Sequence, residues 1–191
     1  MEVEEDLLEQ FVGAFGKLAE MAEFVTTHPV VAELAVGEPN EWGKVIWKPS
    51  KVTIAKENLD PVYSKLPARF PPLFERFVLS YRWAEVDLGL YTLLANPPGP
   101  DLSRLFEPMS KANAMSAALP RAGYLQFAKG PDMDFDAVCF DIKSRKKNGD
   151  CRVVKIDHEE ILCNNRIKVV AELAPTFEEL VRRTIRRAEG L

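Results

Sequence analysis

Between residues 123 and 178 short apolar runs alternate with polar turn signals, and that alternation commits this part of the chain to a sheet of brief strands. Tyr124 to Ala128, Ala137 to Lys143 and Cys151 to Asp157 read as strands, separated by Gly130-Pro131-Asp132 and by Asn148-Gly149. Asn-Gly between two such runs is a strong hairpin signal. A strict two-residue turn there sets Lys147 against Asp150, which is favourable, but Arg145 against Arg152, which is not; a longer basic loop is the alternative. In either register Cys139 lies far from Cys151, which argues against a disulfide. Asp157-His158-Glu159-Glu160 reads as a strand end running into a polar turn, and Arg166 to Ala171 leads into a last helix. That helix has well-marked ends. Thr176 stands three residues before Glu179 in capping-box spacing, Glu178 and Glu179 precede Arg182 and Arg183 by four, and Arg186 and Arg187 sit at the negative pole.

Upstream the period changes from two to nearly four. Leu7, Leu8, Phe11, Phe15, Leu18, Ala22 and Val25 recur at helical steps and predict an amphipathic helix over residues 3 to 25. A second short helix, Pro29 to Ala35, follows before Gly37, Pro39, Asn40 and Gly43 break the pattern. Residues 44 to 65 read as a wrapping loop in which Val45 to Trp47 form a short edge strand. Leu73, Phe74, Phe77, Val78 and Tyr81 give one face of a helix that opens on Pro71-Pro72. Val86 to Leu94 reads as one strand ended by Asn96-Pro97-Pro98-Gly99-Pro100. Asp101 caps a short helix that Pro108 ends, and a further stretch from Ser110 to Leu119 stops at Pro120.

Composition excludes several classes. At 191 residues, 47% hydrophobic and 28% charged, the chain can bury one sizeable core. The net charge of −4 argues against a general nucleic-acid binder, which needs a basic surface to neutralise phosphates. Three cysteines without C-x-x-C spacing imply neither a disulfide framework nor a zinc ribbon and fit a reducing cytosol. The first residues are acidic where a signal peptide is basic, and no apolar run reaches the roughly 20 residues of a membrane span. The expectation is a cytoplasmic protein without a membrane segment.

Each candidate for chemistry lacks a partner that its chemistry requires. Asp132, Asp134 and Asp136 alternate as in the opening of a calcium loop, but Ala137 stands where the sharp-turn glycine belongs and Lys143 where the closing Glu belongs. Turn carboxylates are the better reading. His158 with Glu159 and Asp136 suggests a small metal-dependent hydrolase, yet the second histidine of H-E-x-x-H is missing. Cys139, inside Ala-Val-Cys-Phe, reads as a buried strand residue rather than a nucleophile. Gly13, Gly16 and Lys17 are only a fragment of a phosphate loop within a helix. Lys143 to Lys147, four bases in five positions, read as a solvated loop. Arg82-Trp83-Ala84-Glu85-Val86-Asp87 has two readings: an exposed tryptophan ringed by charge, the anchor of a protein interface, or a ring buried against the sheet. No catalytic residue, metal or cofactor is expected.

The order of these elements from 66 to 185 resembles the SUKH superfamily of fungal Smi/Knr-type cell-wall-assembly regulators and bacterial immunity proteins. The resemblance rests on Leu66-Pro67 before the apolar helix, on Gly123-Tyr124-Leu125-Gln126-Phe127-Ala128, on Asp136-Ala137-Val138-Cys139-Phe140-Asp141, and on the helix opening from Ala174 to Leu180. It implies an α+β fold, a mixed or mostly antiparallel sheet packed by helices, occupying residues 66–191 behind an N-terminal helical extension and wrapping connector, 1–65. It also implies a non-enzymatic module that binds a protein partner, in the immunity case a basic toxin domain neutralised by occlusion; a regulatory scaffold is the alternative. Trp83, Glu85, Asp87, Asp132, Asp134 and Asp136 are the expected partner-binding residues, with no nucleic acid and no membrane as partner.

Overall fold

The computed structural model describes residues 2–18, 24–25, 32–38, 40–41, 44–99, 102–110 and 113–191. In chain order it begins with α1 (Glu2–Leu18), β1 (Phe24–Val25), a 3-10 turn (Ala32–Leu34), β2 (Ala35–Val36), β3 (Lys44–Trp47) and β4 (Ser50–Lys51). A 3-10 turn (Lys56–Leu59) runs into α2 (Asp60–Tyr63), followed by α3 (Pro72–Ser80), β5 (Tyr81–Arg82), β6 (Val86–Asp87) and β7 (Thr92–Leu93). The rest comprises α4 (Ser103–Ser110), α5 (Ala114–Arg121), β8 (Tyr124–Lys129), β9 (Ala137–Asp141), a 3-10 turn (Ile142–Ser144), β10 (Val153–Ile156), α6 (His158–Asn164), β11 (Val169–Ala174) and α7 (Phe177–Ala188).

The fold is α+β. Six strands form the main sheet in the order β11-β10-β9-β8-β7-β6, and every pairing in it is antiparallel. Both faces are covered, which explains why its strands carry apolar residues on successive positions rather than in clean alternation. On one face Val138, Phe140 and Val153 meet α1, α3 and α7 through Phe11, Phe74, Phe77, Phe177 and Leu180. On the other, Ala137, Cys139, Val154 and Ile156 meet Leu119 of α5 and Ile161 of α6. Phe127 and Phe140 stack at 4.2 Å, with the Phe74 and Phe177 rings set edge-on against Phe140. Such pairs add to the area term that burying each ring already supplies.

α1 lies in this core rather than beside it. Leu7, Leu8, Phe11 and Phe15 are buried, and Phe11 touches both Phe77 and Phe177. The helix expected to reach Val25 does not do so, because Phe24–Val25 pairs with Val45 and Lys44 as a strand. The predicted helix start at Pro29 and the Asp101 cap lie outside the described residues.

Other expectations shift for local reasons. Val86 to Leu94 is a hairpin and not one strand: Gly89, at φ +78°, provides the left-handed residue of the turn, and the Asp87 carboxylate accepts its amide at 2.7 Å. Asp157-His158-Glu159-Glu160 starts α6, with Asp157 accepting the Glu160 amide at 3.1 Å. α4 runs on past Pro108 to Ser110, and α5 contains Pro120. Phe140 pairs with Val153, so of the two alternatives the longer loop, and not the strict two-residue turn, joins β9 and β10. The capping of α7 by Thr176, with Glu178–Arg182 and Glu179–Arg183 pairs, is as the spacing predicts.

Candidate functional site

The β8–β9 loop and the β6–β7 turn meet at one end of the sheet. Gly130 donates to the Asp136 carbonyl at 2.9 Å and closes the loop, while Asp134 donates to the Pro131 carbonyl at 3.0 Å. Gly130 is required there: a Cβ would stand 2.1 Å from Cγ of Asp134. Asp132 takes the left-handed conformation, φ +54°, which a short polar side chain tolerates. Its amide reaches across to the Asp87 carboxylate at 3.2 Å, so two segments far apart in sequence become one surface.

Five of the six expected partner-binding residues are brought together in this way. Glu85 pairs with Lys129 at 2.7 Å, joining β8 to the segment before β6. Asp134 Oδ2 binds Lys155 Nζ at 2.8 Å, and its Oδ1 accepts the Asp136 amide at 2.9 Å. Asp136 Oδ1 accepts the His158 amide and lies 2.9 Å from His158 Nδ1, tying the loop to the start of α6. Partial burial pushes the Asp134 carboxyl up, but the Lys155 ammonium and the Asp136 amide outweigh it and hold the group below its ordinary range. The same hydrogen bond raises Lys155. The Asp134 carboxylate therefore stays ionised at neutral pH.

Trp83 is the exception, and of its two readings the structure selects burial. Its ring has no exposure, stacks on Phe77 at 4.1 Å and 15°, and donates from Nε1 to the Leu94 carbonyl at 2.8 Å. Its backbone exchanges two hydrogen bonds with Asn96, whose side-chain amide donates in turn to the carbonyls of Val78 and Tyr81. Trp83 therefore positions the segment that carries Glu85 and Asp87, and it is not itself a surface anchor.

The apolar component of this surface comes from residues that sequence reasoning passed over. Met133 is 79% exposed, Phe135 55% and Leu90, on the adjoining turn, 37%. Phe135 leans edge-on toward the His158 ring, with centroids 6.0 Å apart. The signal was present in Asp132-Met133-Asp134-Phe135-Asp136, where apolar residues sit between carboxylates in a segment that glycine and proline mark as a turn.

The catalytic alternatives do not assemble. His158 meets Asp136, but Glu159 is not among their partners, and no group of three or more His, Cys, Asp or Glu suited to a metal occurs among the described residues. Cys139 is fully buried, which pushes its thiol well up. A groove of about 310 Å³ between α1 and α3 is lined by Leu8, Lys51, Val52, Thr53, Arg76, Ser80 and Tyr81. That lining has no carboxylate, histidine or thiol, and Lys51 is tied to Glu9 at 2.7 Å. At the far end of β9 the basic loop, Lys143 to Lys147, is held by Arg145 donating to the Arg69 carbonyl. The sheet thus carries an acidic, partly apolar end and a basic end. No helix among the described residues is long and apolar enough to cross a membrane. In comparison with known proteins, the chain matches no family model, no curated protein and no solved structure.

Proposed function

We propose that the chain is a non-enzymatic protein-binding module that docks a basic partner on the acidic end of its sheet. The observation that carries this reading is Met133 and Phe135, exposed on a loop that hydrogen bonds hold in shape, between Asp132, Asp134 and Asp136 and beside Glu85 and Asp87. Exposed aromatic and Met side chains on a preformed loop provide anchors at low ordering cost, and surrounding carboxylates steer a cationic surface toward them. The basic loop at the other end repels that same surface, so encounter is oriented. Occlusion of a toxin's active site, the role implied by the resemblance to SUKH immunity proteins, is the specific form we propose; a regulatory role would use the same surface.

Photocrosslinkers placed at Met133 and, as a control, at Lys146 test it in the producing cell. Crosslinks to a basic protein from position 133 and not from 146, abolished by Asp134→Lys with Phe135→Ser while the melting temperature is unchanged, are the expected result. Equal crosslinking from both ends, or none from 133, overturns the reading.

A further inference from the structure

The segment from Asp141 to Arg152 joins β9 to β10 at the basic end of the sheet, and its acidic and basic residues are used differently. Both acids are committed. Asp141 binds Arg152 at 2.6 Å, and Asp150 turns inward to accept the amides of Cys151, Phe177 and Glu178. The bases at the tip are not. Lys143, Lys146 and Lys147 are exposed, and among the described residues none of their ammonium groups has a partner. By contrast, Lys51, Lys56, Lys129, Lys155 and Lys168 each have a carboxylate within 3.2 Å. Arg145 adds a further charge without an ion pair: its guanidinium donates to the Arg69 carbonyl, while its buried Nε donates to no atom of the described chain. An unpaired buried donor is unfavourable and marks a place where water or an ion belongs. Arg121, which ends α5, is brought to the same end. Ile142 donates to the Gly123 carbonyl at 3.0 Å, and the Lys143 chain lies so close over Gly123 that a Cβ there would stand 3.1 Å from its Cε.

The loop is preformed. Gly149, at φ +87°, closes a turn by donating to the Lys146 carbonyl at 2.9 Å, and Lys146 donates to the Asp150 carbonyl at 2.7 Å. Ser144 Oγ accepts the Arg152 amide at 2.9 Å. The amides of Lys147 and Asn148, the central residues of that turn, have no acceptor within the described chain. Turn amides beside cations bind anions, because the donors are already oriented. No large apolar residue from 141 to 152 is exposed, so a ligand here is held by charge and hydrogen bonds alone. Single exposed ion pairs contribute little. Only an anion with several charges, reaching several of these groups at once, gains enough. A phosphate group supplies about two charges and three strong acceptors, where a carboxylate supplies one charge.

We propose that the 143–149 loop is a binding site for a soluble anion that carries linked phosphates. Lys143, Lys146 and Lys147 neutralise it, Arg121 and Arg145 strengthen the local field, and the Lys147 and Asn148 amides seat one phosphate on the turn. The site stands at the opposite end of the sheet from Met133 and Phe135 and does not rest on their docking role.

Inorganic tripolyphosphate titrated into the full chain, followed by amide shifts in nuclear magnetic resonance, tests the proposal. Saturating shifts at Lys147 and Asn148 are expected, with a dissociation constant about tenfold or more below that of orthophosphate and rising with salt. Lys146→Glu with Lys147→Glu should raise that constant by about tenfold or more at an unchanged melting temperature. Should that variant lose its fold, Lys146→Gln with Lys147→Gln replaces it. No shift at the turn, equal constants for the two anions, or a constant that neither double variant changes overturns the proposal. Vesicles bearing a phosphorylated inositol lipid and a short DNA duplex separate the sources of phosphate. Either one bound while tripolyphosphate is not makes the loop a contact for a membrane surface or a nucleic acid and overturns the soluble ligand; displacement of both by tripolyphosphate, or binding of tripolyphosphate alone, supports it.

Discussion

Asp87 holds Asp132: the Asp87 carboxylate accepts the Asp132 amide at 3.2 Å although 45 residues of chain separate them. With its other oxygen it accepts Gly89 at 2.7 Å, so one side chain shapes both the β6–β7 turn and the β8–β9 loop. Asp87→Ala is expected to cost only about 0.5–1.5 kcal/mol per bond in global stability, because the site is on the surface. Locally the effect is larger: amide exchange at Gly89 and across 130–136 rises, and partner affinity falls with it. Asp87→Asn keeps one acceptor and should give an intermediate exchange rate. Unchanged exchange at Asp132 in the alanine variant would remove the link between the two segments.

Trp83→Ala belongs to a different class of effect. The ring is fully buried, stacked on Phe77 and bonded to Leu94, so truncation leaves a large cavity and an unpaired carbonyl. A loss of about 3–5 kcal/mol in denaturant unfolding is expected. Loss of partner binding with full stability would contradict the buried placement.

Stability should depend on pH at both extremes through Tyr63 and Glu75. The Tyr63 hydroxyl donates to Glu75 at 2.5 Å, Lys56 lies 2.9 Å from the same carboxylate, and Arg69 sits over the Tyr63 ring at 4.4 Å. Burial alone raises Glu75, but the bonds from Tyr63 and Lys56 outweigh it and leave its pKa lowered. Stability from this group is therefore complete above its unfolded value of about 4.5 and is lost as pH falls through the lower folded value. Tyr63 is raised, first by burial and then by Glu75, so its contribution is complete below its ordinary value of 10.0 and is lost as pH rises beyond it. Glu75→Gln should flatten the acid limb of a plot of unfolding free energy against pH, and Tyr63→Phe the alkaline limb. An acid limb identical in wild type and Glu75→Gln would refute the assignment.

What could be read in advance followed from local rules. Thr176, Glu179 and the arginines of α7 act within a few residues of one another, and so do the strands on either side of Gly130-Pro131. Gly89 escaped because one glycine in an apolar run is a weak turn signal. α6 escaped although Asp157 and Glu160 have cap spacing, because a seven-residue helix offers too short a period to detect. The docking surface was half legible. Its carboxylates stood out by pattern, but that Asp87 meets Asp132 depends on β7 pairing with β8, and that Trp83 is covered depends on α3. Pairings between distant segments leave no local trace.

The three thiols should separate by reactivity. Burial pushes Cys139 well up, and burial with Asp150 beside it pushes Cys151 up to about 12, whereas Cys163 is exposed. The thiolate is the reactive form, so a thiol reagent at neutral pH should label Cys163 alone in the native protein and all three after denaturation. Fast native labelling of Cys139 would show that the layer formed by α5 and α6 opens readily.

The N-terminal helix reads in sequence as an extension, and its packing predicts otherwise. Phe11 is fully buried and meets Phe15, Phe77 and Phe177 at ring distances of 5.0, 5.3 and 6.5 Å, so α1 closes the face on which α3 and α7 lie. Removing residues 2–18 would expose Phe77 and Phe177 to water, at about 1.5–3 kcal/mol for each ring uncovered, on top of what α1 itself buries. A domain with net stability of roughly 5–15 kcal/mol cannot absorb that. The truncated chain should therefore show lost tertiary signal in near-ultraviolet dichroism and bind a hydrophobic dye, and Phe11→Ala in the full chain should cost about 3–5 kcal/mol. A cooperative thermal transition in the truncated chain, at the temperature of the full one, would make α1 a true appendage.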